Sequence, residues 1–380
     1  MSDARPADGD ATTLTMHHQP EAHNQGPNSP VAVAVSRPTE PFFQFRLSDP
    51  RMLDETLHDV EEALFLDGQD AGTHGGVADD DAQSDRPSVD ATEDGVTVDR
   101  VAMNDAASLV SIDDITEQFR LDIQHLLWLA TWDGRLCMCP KKDGAARVLD
   151  VGTGTGVWAM AYADEHPEAI VTGVDISPIQ PQVVAPNCFF EIYNVESEWP
   201  WRIPHDFIFM RHMNTAFASW SETIEKAFRN LAPGGYIELQ DNTFPIMSYE
   251  GSMPPNSAIA RWSTMLMDST RLLGRPCDAP SQFKQLLEDA GFEGVVEIKR
   301  VWPIGQWAAG RRHFMTGSLC HDTSIAGLEP STLRLFTSVF GWSVEETKDF
   351  CREVEAEIRS QRYHAYFNVY CVYGMKPYWA

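Results

Sequence analysis

The stretch from Arg147 to Asp175, RVLDVGTGTGVWAMAYADEHPEAIVTGVD, determines how this chain folds. Its first five residues form a short apolar run rich in β-branched side chains, which is typical of a parallel strand covered on both faces. Helix-favouring residues begin near Val157, and a second apolar run from Ile170 to Val174 ends at an acid. We therefore predict a strand, a glycine-rich turn, a helix and a second strand, the repeating unit of a doubly wound α/β domain.

The turn after the first predicted strand contains three alternating glycines, Gly152, Gly154 and Gly156, and follows Asp150. Glycine permits positive φ and leaves room for a ligand beside the backbone. Dinucleotide sites carry G-x-G-x-x-G instead, where a helix N-terminus binds a pyrophosphate. The spacing G-x-G-x-G after an acid favours S-adenosylmethionine, which lacks phosphate and carries an ammonium group. We expect Asp150 near that ammonium and Asp175 on the ribose hydroxyls.

The order of elements downstream agrees with this interpretation. We predict strands over Cys188–Tyr193, Asp206–Met210 and Tyr236–Asp241, and a helix over Ser221–Leu231 that ends at Ala-Pro-Gly-Gly. Proline cannot continue a helix, and glycine permits the chain to reverse. Alternating strands and helices with short connections imply a parallel sheet with right-handed crossovers.

Ligands of such sheets bind outside the carboxyl ends of the strands. Asn194, after the third strand, is expected to accept from the adenine amine, and the Val195 backbone to contact the ring edge. The predicted cofactor-binding residues are Asp150, Gly152, Thr153, Gly154, Gly156, Asp175, Ile176, Asn194, Val195 and Arg211.

Catalysis of methyl transfer requires an in-line approach by a nucleophile, and a base can assist it by removing a proton. His212 is the first candidate for this base because the ordinary histidine pKa lies near neutrality. Asp241 and Gln240 are the alternatives. Each of the three can equally hold a loop or line the pocket, since proximity alone can suffice for this reaction.

A helix over Phe119–Leu129 precedes the first strand and is expected to close over the cofactor. Its apolar spacing predicts that Leu121, Leu126 and Leu129 face inward. Three of its polar residues either reach the cofactor carboxylate or substrate, or form a solvated face; they are Arg120, Asp122 and His125.

The C-terminal part is predicted to contain two antiparallel strands, Val295–Val301 and Ala365–Met375, with a helix over Val344–Arg359 between them. Two insertions, residues 242–280 and 303–362, are expected to set specificity, since binding residues commonly lie on additions to a rigid scaffold. The second insertion is expected to form a lid over the pocket.

The first hundred residues differ in composition from the rest of the 380-residue chain. They carry 6 basic and 21 acidic residues, a net charge of −15 out of −27, and contain no Trp or Cys. Such a segment cannot bury enough apolar surface to offset ordering entropy. We therefore predict a mostly disordered acidic region over residues 1–110 and a methyltransferase domain over 111–380. The helical spacing of Leu53, Leu57, Val60 and Leu64 indicates a segment that docks on the domain, docks on a partner or forms only transiently.

The acidic balance lacks the Lys/Arg clusters of proteins that bind nucleic acid or anionic membranes. No apolar run has the length of a membrane span, and the N-terminus has no signal-peptide core. Seven cysteines, an odd number that begins at Cys137, suggest reduced thiols in a cytoplasmic or nuclear protein. No Cys/His pairs have metal spacing, so we expect no metal. We expect a small-molecule substrate and no nucleic-acid or membrane partner.

Four segments, LDVGTGTGVWA, VDISPIQP, LAPGGYIELQD and HAYFNVYCVYGMKP, resemble the LaeA-like family of fungal S-adenosylmethionine-dependent methyltransferases. The resemblance covers roughly residues 113–379. It implies a seven-stranded class I fold, mostly parallel with a terminal antiparallel hairpin, and a role in fungal secondary metabolism. Regulators of this family tend to carry Gly-Cys-Gly-Thr-Gly, so Thr153 favours a metabolite enzyme. Asn194 stands where the family more often has an acid.

Three functions fit these patterns. The first is an enzyme that methylates oxygen or nitrogen on a small metabolite, which predicts an enclosed apolar cavity beside the methyl donor. The second is a regulator that acts in a protein complex and captures a protein partner through its acidic N-terminal region. The third is a catalytically silent fold, which the intact Asp150, glycines and Asp175 disfavour. Nucleic-acid base methylation is disfavoured because Arg-His-Met-Asn, not Asn-Pro-Pro-Tyr, follows the fourth strand.

Overall fold

The computed structural model describes residues 115–379. The predicted disordered region and the amphipathic stretch from Leu53 to Leu64 lie outside these residues. The boundary that we place near residue 110 therefore stays a prediction.

A seven-stranded sheet forms the centre of the domain, in the order β3-β2-β1-β4-β5-β7-β6. Strands β1 to β5 pair in parallel, and β7 runs antiparallel to both β5 and β6. This arrangement confirms the predicted class I sheet with its terminal antiparallel hairpin. The strands are β1 Arg147–Val151, β2 Ile170–Asp175, β3 Cys188–Ile192, β4 His205–Arg211, β5 Leu231–Ser248, β6 Glu293–Pro303 and β7 Ala365–Met375.

Seven α-helices surround the sheet in the described part of the chain. Three of them begin with side-chain caps: Ser219 accepts from the Glu222 amide, Ser257 accepts from the Ala260 amide, and Ser343 forms a capping box with Glu346. None of these helices is long and apolar enough to span a bilayer. They are α1 Ile115–Thr131, α2 Val157–Glu165, α3 Trp220–Asn230, α4 Ala258–Leu272, α5 Phe283–Asp289, α6 Arg311–Val339 and α7 Val344–Ser360.

Apolar clusters cover the two faces of the central strands. Leu149 and Val151 of β1 pack on one face with α3 and α5, whereas Val148 packs on the other with α2. On that second face the indole of Trp158 stacks on Phe209, with ring centroids 3.9 Å apart. Burial on both faces is what the continuous apolar run of β1 predicts. The stacked rings fix the start of α2 above β1 and β4.

The inward face of α1 differs from the prediction at one position. Leu126 is 51% exposed, whereas Leu127 is fully buried, and Leu121 and Leu129 are half-buried. The buried stripe instead follows Gln124, Leu127, Trp128 and Thr131 at helical spacing of three and four residues. The assignment of Leu126 to the core was wrong because the polar residues Gln124 and Thr131 also face inward. The inward face of the helix therefore includes Leu127 instead of Leu126.

Strand β5 is longer than predicted and runs to Ser248 rather than Asp241. Pairing with β7 continues through Asn242 and Thr243 and resumes at Met247. The insertions contain helices as expected, with α4 in the first and α6 and α7 in the second. All seven cysteines lie between residues 137 and 371 and are buried.

Candidate active site

The glycine loop between β1 and α2 has positive φ at all three glycines, +74° at Gly152, +57° at Gly154 and +81° at Gly156. A Cβ at Gly152 would lie 2.0 Å from Met213 Sδ, and one at Gly156 would lie 2.3 Å from Phe190 Cζ. A Cβ at Gly154 would meet only Leu121 Cδ1, at 3.8 Å. The outer glycines are therefore needed for packing, whereas the space beside Gly154 is open to a ligand.

Two carboxylates hold this loop. Asp175 accepts hydrogen bonds from the amides of Gly154 at 2.9 Å and Ser177 at 3.0 Å. Asp150 accepts from the hydroxyl of Thr153 at 2.6 Å. The structure thus brings together four of the predicted cofactor-binding residues. Each carboxylate oxygen has a further lone pair for a ligand.

A cleft opens between this loop, α1 and the end of β4. It encloses about 500 Å³, which includes space open to solvent. Residues 303–362 contribute no lining residue to this cleft; α6 packs against the helix α1 instead. The lining residues are Leu121, Gln124, His125, Trp128, Asp150, Gly152, Thr153, Gly154, Thr155, Val157, Trp158, Arg211 and His212.

Two side chains of opposite charge, Asp150 and Arg211, line the cleft. Burial raises the pKa of Asp150 to about 6, which the Thr153 hydroxyl and the Arg211 cation counteract. Burial lowers the pKa of Arg211 to about 10, so the guanidinium stays charged at neutral pH. Arg211 Nη2 donates to His125 Nδ1 at 3.0 Å, and burial and this cation lower the pKa of His125 to about 3. His125 is therefore neutral and links α1 to β4.

The two catalytic candidates lie side by side, His212 just after the end of β4 and Asp241 within β5. His212 has a φ of +59°, uncommon for a non-glycine residue. Its Nδ1 lies 3.8 Å from Asp241 Oδ1. Burial, Arg120 and Arg211 lower the pKa of His212 to about 3, whereas burial raises the pKa of Asp241 well above its usual range. His212 is therefore the weaker base of the two, contrary to its ordinary pKa.

Gln240 has a structural role. Its amide nitrogen donates to Glu238 Oε1 at 2.6 Å, and its oxygen accepts from Trp132 Nε1 at 3.1 Å. The fully buried Glu238 also accepts from the amides of Met138 at 2.8 Å and Cys139 at 2.7 Å. Sequence reasoning missed Glu238, although a carboxylate inside a buried apolar strand was a visible signal. This network ties the segment after α1 to β5.

Other predicted residues stand outside the cleft lining. The side chain of Asn194 is exposed and accepts from the Glu196 amide at 3.0 Å, while Val195 is buried in the core. Ile176 is 46% exposed beside Asp175. Their contacts with adenine stay predictions, as do the roles of all the cofactor-binding residues.

The polar residues predicted on α1 have local partners. Arg120 forms a bidentate pair with Glu117, at 2.6 and 2.7 Å. Asp122 accepts from the Thr155 hydroxyl at 3.3 Å. Gln124 and Trp128 line the cleft although they were not predicted to. A polar residue on the inward stripe of an amphipathic helix was the signal for Gln124.

Comparison with known proteins adds sequence relationships to this geometry. A family model described as a methyltransferase domain matches residues 127–298. Methyltransferase pytC from Aspergillus terreus is 35% identical over 266 residues, covering 70% of this chain and 82% of that protein. The chain belongs to the LaeA-like family of fungal S-adenosylmethionine-dependent methyltransferases. It is therefore a methyltransferase whose methyl donor is S-adenosylmethionine.

The LaeA-like relatives include proteins named as regulators. Secondary metabolism regulator LAE1 from Cochliobolus heterostrophus is 29% identical over 272 residues, covering 70% of this chain and 88% of that protein. Among solved structures, phosphoethanolamine N-methyltransferase 2 from Haemonchus contortus is similar with a TM-score of 0.41 and 16% identity. That alignment covers 70% of this chain and 58% of the other.

Asp175→Ala is expected to weaken cofactor affinity by about tenfold or more, because it removes the ribose acceptor and frees the Gly154 amide. Isothermal titration calorimetry with S-adenosylhomocysteine measures this loss. Asp289→Ala, at the exposed end of α5, is the control. Unaltered affinity in Asp175→Ala would remove the ribose contact from the site.

Proposed function

We propose that this protein transfers a methyl group from S-adenosylmethionine to an oxygen or nitrogen atom of a small molecule in fungal secondary metabolism. The observation that carries the proposal is the pair of the buried Asp150 and the half-buried Arg211 beside the open face of Gly154. An amino acid carries an ammonium and a carboxylate on one carbon. A buried anion and a half-buried cation in one cleft match those two charges.

The residues present fit the cofactor. Asp150 would hold the ammonium, and Arg211, positioned by His125, would hold the carboxylate. The backbone at Gly154 permits close approach, since a Cβ there meets nothing nearer than 3.8 Å. Asp175 would accept from the ribose hydroxyls. When bound, the cofactor supplies an electrophilic methyl group on a sulfonium.

The chain's own groups then act on the acceptor. His212 follows the carboxyl end of β4, where ligands of such sheets bind, and Asp241 lies beside it on β5. The neutral imidazole of His212 orients an acceptor hydrogen, and the more basic Asp241 carboxylate takes up the proton that the acceptor releases. Burial shields the Asp241 carboxylate from water, and holding the acceptor near the methyl donor supplies the larger part of the rate.

The alternative function is that of a LaeA-like regulator in a protein complex. It is supported by relatives named as secondary metabolism regulators at 29% identity. The higher identity to pytC, 35%, and Thr153 in the glycine loop favour the metabolite enzyme. The N-terminal acidic region would capture the partner in this alternative.

Gly154→Arg separates the two functions. The arginine would fill the cofactor side of the loop and would strain the backbone at its positive φ of +57°, so methyl transfer should fall below detection. Metabolite profiles of a strain with this variant are compared with those of a deletion strain and the wild type. Loss of one methyl group from one product in both strains supports the enzyme. A simultaneous fall of many unrelated products would support the regulator instead.

A further inference from the structure

Two buried polar atoms on facing elements of the domain have no hydrogen-bond partner among residues 115–379. They are the indole nitrogen of Trp128 on α1 and the side-chain oxygen of Asn242 on β5. Trp128 is 1% exposed and Asn242 is 6% exposed. Buried polar groups are almost always paired, and an unpaired one costs free energy in the folded state. The presence of two such unpaired atoms in the core therefore requires an explanation.

Both residues belong to a repeated arrangement. Trp132 and Gln240 form an inner pair, in which the indole Nε1 donates to the amide oxygen at 3.1 Å. Trp128 lies four residues before Trp132, about 6 Å along α1. Asn242 lies two residues after Gln240, about 6.7 Å along β5. Trp128 and Asn242 each lie one step from the inner pair along their own element, and we refer to these two residues as the outer pair.

The side chains of β5 that belong to these pairs face α1. Gln240 pairs with Cys371 of β7, and Asn242 pairs with Val369. Directly paired residues point to the same side of a sheet. Cys371 and Val369 pack in one cluster with Trp128 and Trp132. Asn242 is therefore on the side of the sheet that α1 covers.

The outer pair lies next to the cofactor cleft. Trp128 lines that cleft together with Arg211 and His212, which stand at the carboxyl end of β4. Three more unpaired buried atoms occur just after β4 and on the adjacent part of β5: Nδ1 of His212, Oδ1 of Asn214 and Oδ2 of Asp241. The inner pair is joined by a hydrogen bond, whereas the polar atoms of the outer pair and these three neighbouring atoms have no hydrogen-bond partner among residues 115–379.

We propose that Trp128 and Asn242 recognise the methyl acceptor through a group that both accepts and donates a hydrogen bond, a hydroxyl or a secondary amide. An indole N–H only donates, and an amide oxygen only accepts. An ether or a hydrocarbon leaves at least one of the two atoms unpaired. The inference rests on the proposed function of the cleft and specifies its substrate class.

The surroundings add a shape requirement. The Trp128 ring makes an edge contact with Trp302, with centroids 4.6 Å apart, and stacks near Trp132 at 6.4 Å. Aromatic walls favour flat ligands through offset and edge-to-face contacts. Because the rings of Trp128 and Trp158 line the cleft, a flat, unsaturated acceptor with a hydroxyl or N–H group at its buried edge fits the site.

The first test compares two matched pairs of variants in the free protein by differential scanning calorimetry. Gln240→Leu breaks bonds to Glu238 and Trp132 and should lower Tm, whereas Asn242→Leu removes an unpaired amide and should leave Tm unchanged or raise it by about 2–4 °C. Trp128→Phe and Trp132→Phe lose the same atoms, but only Trp132 loses a hydrogen bond. The Tm of Trp132→Phe should therefore be about 2–4 °C below that of Trp128→Phe. Equal losses within both pairs would show that the outer residues are structural and overturn the proposal.

The second test uses ligand binding to protein saturated with S-adenosylhomocysteine. 2-Naphthol, which donates and accepts, should bind about tenfold more tightly than 2-methoxynaphthalene, which only accepts. Asn242→Leu should remove this preference while its affinity for S-adenosylhomocysteine stays at the wild-type value. Equal affinity for the two probes, including no binding of either, overturns the inference. Failure to bind S-adenosylhomocysteine would instead overturn the proposed function.

Discussion

Asp150→Asn is expected to weaken S-adenosylmethionine binding at neutral pH by about 10- to 150-fold, the range that a hydrogen bond to a charged group contributes. The variant keeps an oxygen that accepts from the Thr153 hydroxyl, so the loop should stay folded. It loses the negative charge that faces the ligand ammonium and leaves the Arg211 cation without its counter-charge. Titration calorimetry measures the change, and Asp164→Asn on the exposed side of α2 is the control.

The same pair of proteins gives a pH test with a defined sign. The pKa of Asp150 is raised to about 6 by burial, and only the ionised carboxylate attracts an ammonium. As pH falls through 6 the carboxylate binds a proton, so wild-type affinity should fall, approaching about tenfold per pH unit below that value. Asp150→Asn has no such group and should bind with constant weak affinity between about pH 5 and 7. A wild-type affinity independent of pH over this interval would contradict the assignment.

Glu238→Ala is expected to lower the free energy of unfolding by about 3–5 kcal/mol, because each buried donor left without an acceptor costs about 1–3 kcal/mol. The substitution leaves the Met138 and Cys139 amides and the Gln240 amide without their acceptor. For a domain of this size the loss corresponds to a Tm lowered by about 10 °C. Calorimetry measures this shift in the protein without ligand.

Two control variants test whether the loss of stability comes from the hydrogen bonds of the Glu238 carboxyl group. Glu288→Ala, on the exposed face of α5, should change the free energy of unfolding by less than about 0.5 kcal/mol. Glu238→Gln retains one acceptor oxygen and should recover part of the loss. A Tm of Glu238→Ala within about 2 °C of the wild type would mean that the network stabilises little.

The elements around the glycine loop were predictable because their signals are local. Five residues of β1 and the start of α2 at Val157 occur where the apolar run and the glycine spacing placed them. The end of β5 was not predictable, since its continuation past Asp241 depends on pairing with β7, more than a hundred residues later. The inward face of α1 likewise depends on which helix and strand it covers.

The electrostatics of the site show the same limit. His212 was chosen as the base from its ordinary pKa, but burial and two neighbouring guanidiniums lower that pKa to about 3. One of those cations, Arg120, lies on α1, 92 positions away in the chain. Composition and spacing identify which groups titrate, whereas the distances that shift their pKa values arise only from the fold.

The burial of every cysteine in the chain has a practical consequence. A thiolate is the species that reacts with maleimides, and burial raises the pKa of Cys320 to about 12 and that of Cys188 to about 11. Alkylation of the native protein is therefore slow, and each opening of the core uncovers new reactive sulfur. Counting labelled cysteines by mass spectrometry gives a residue-by-residue record of which layer of the domain opens first.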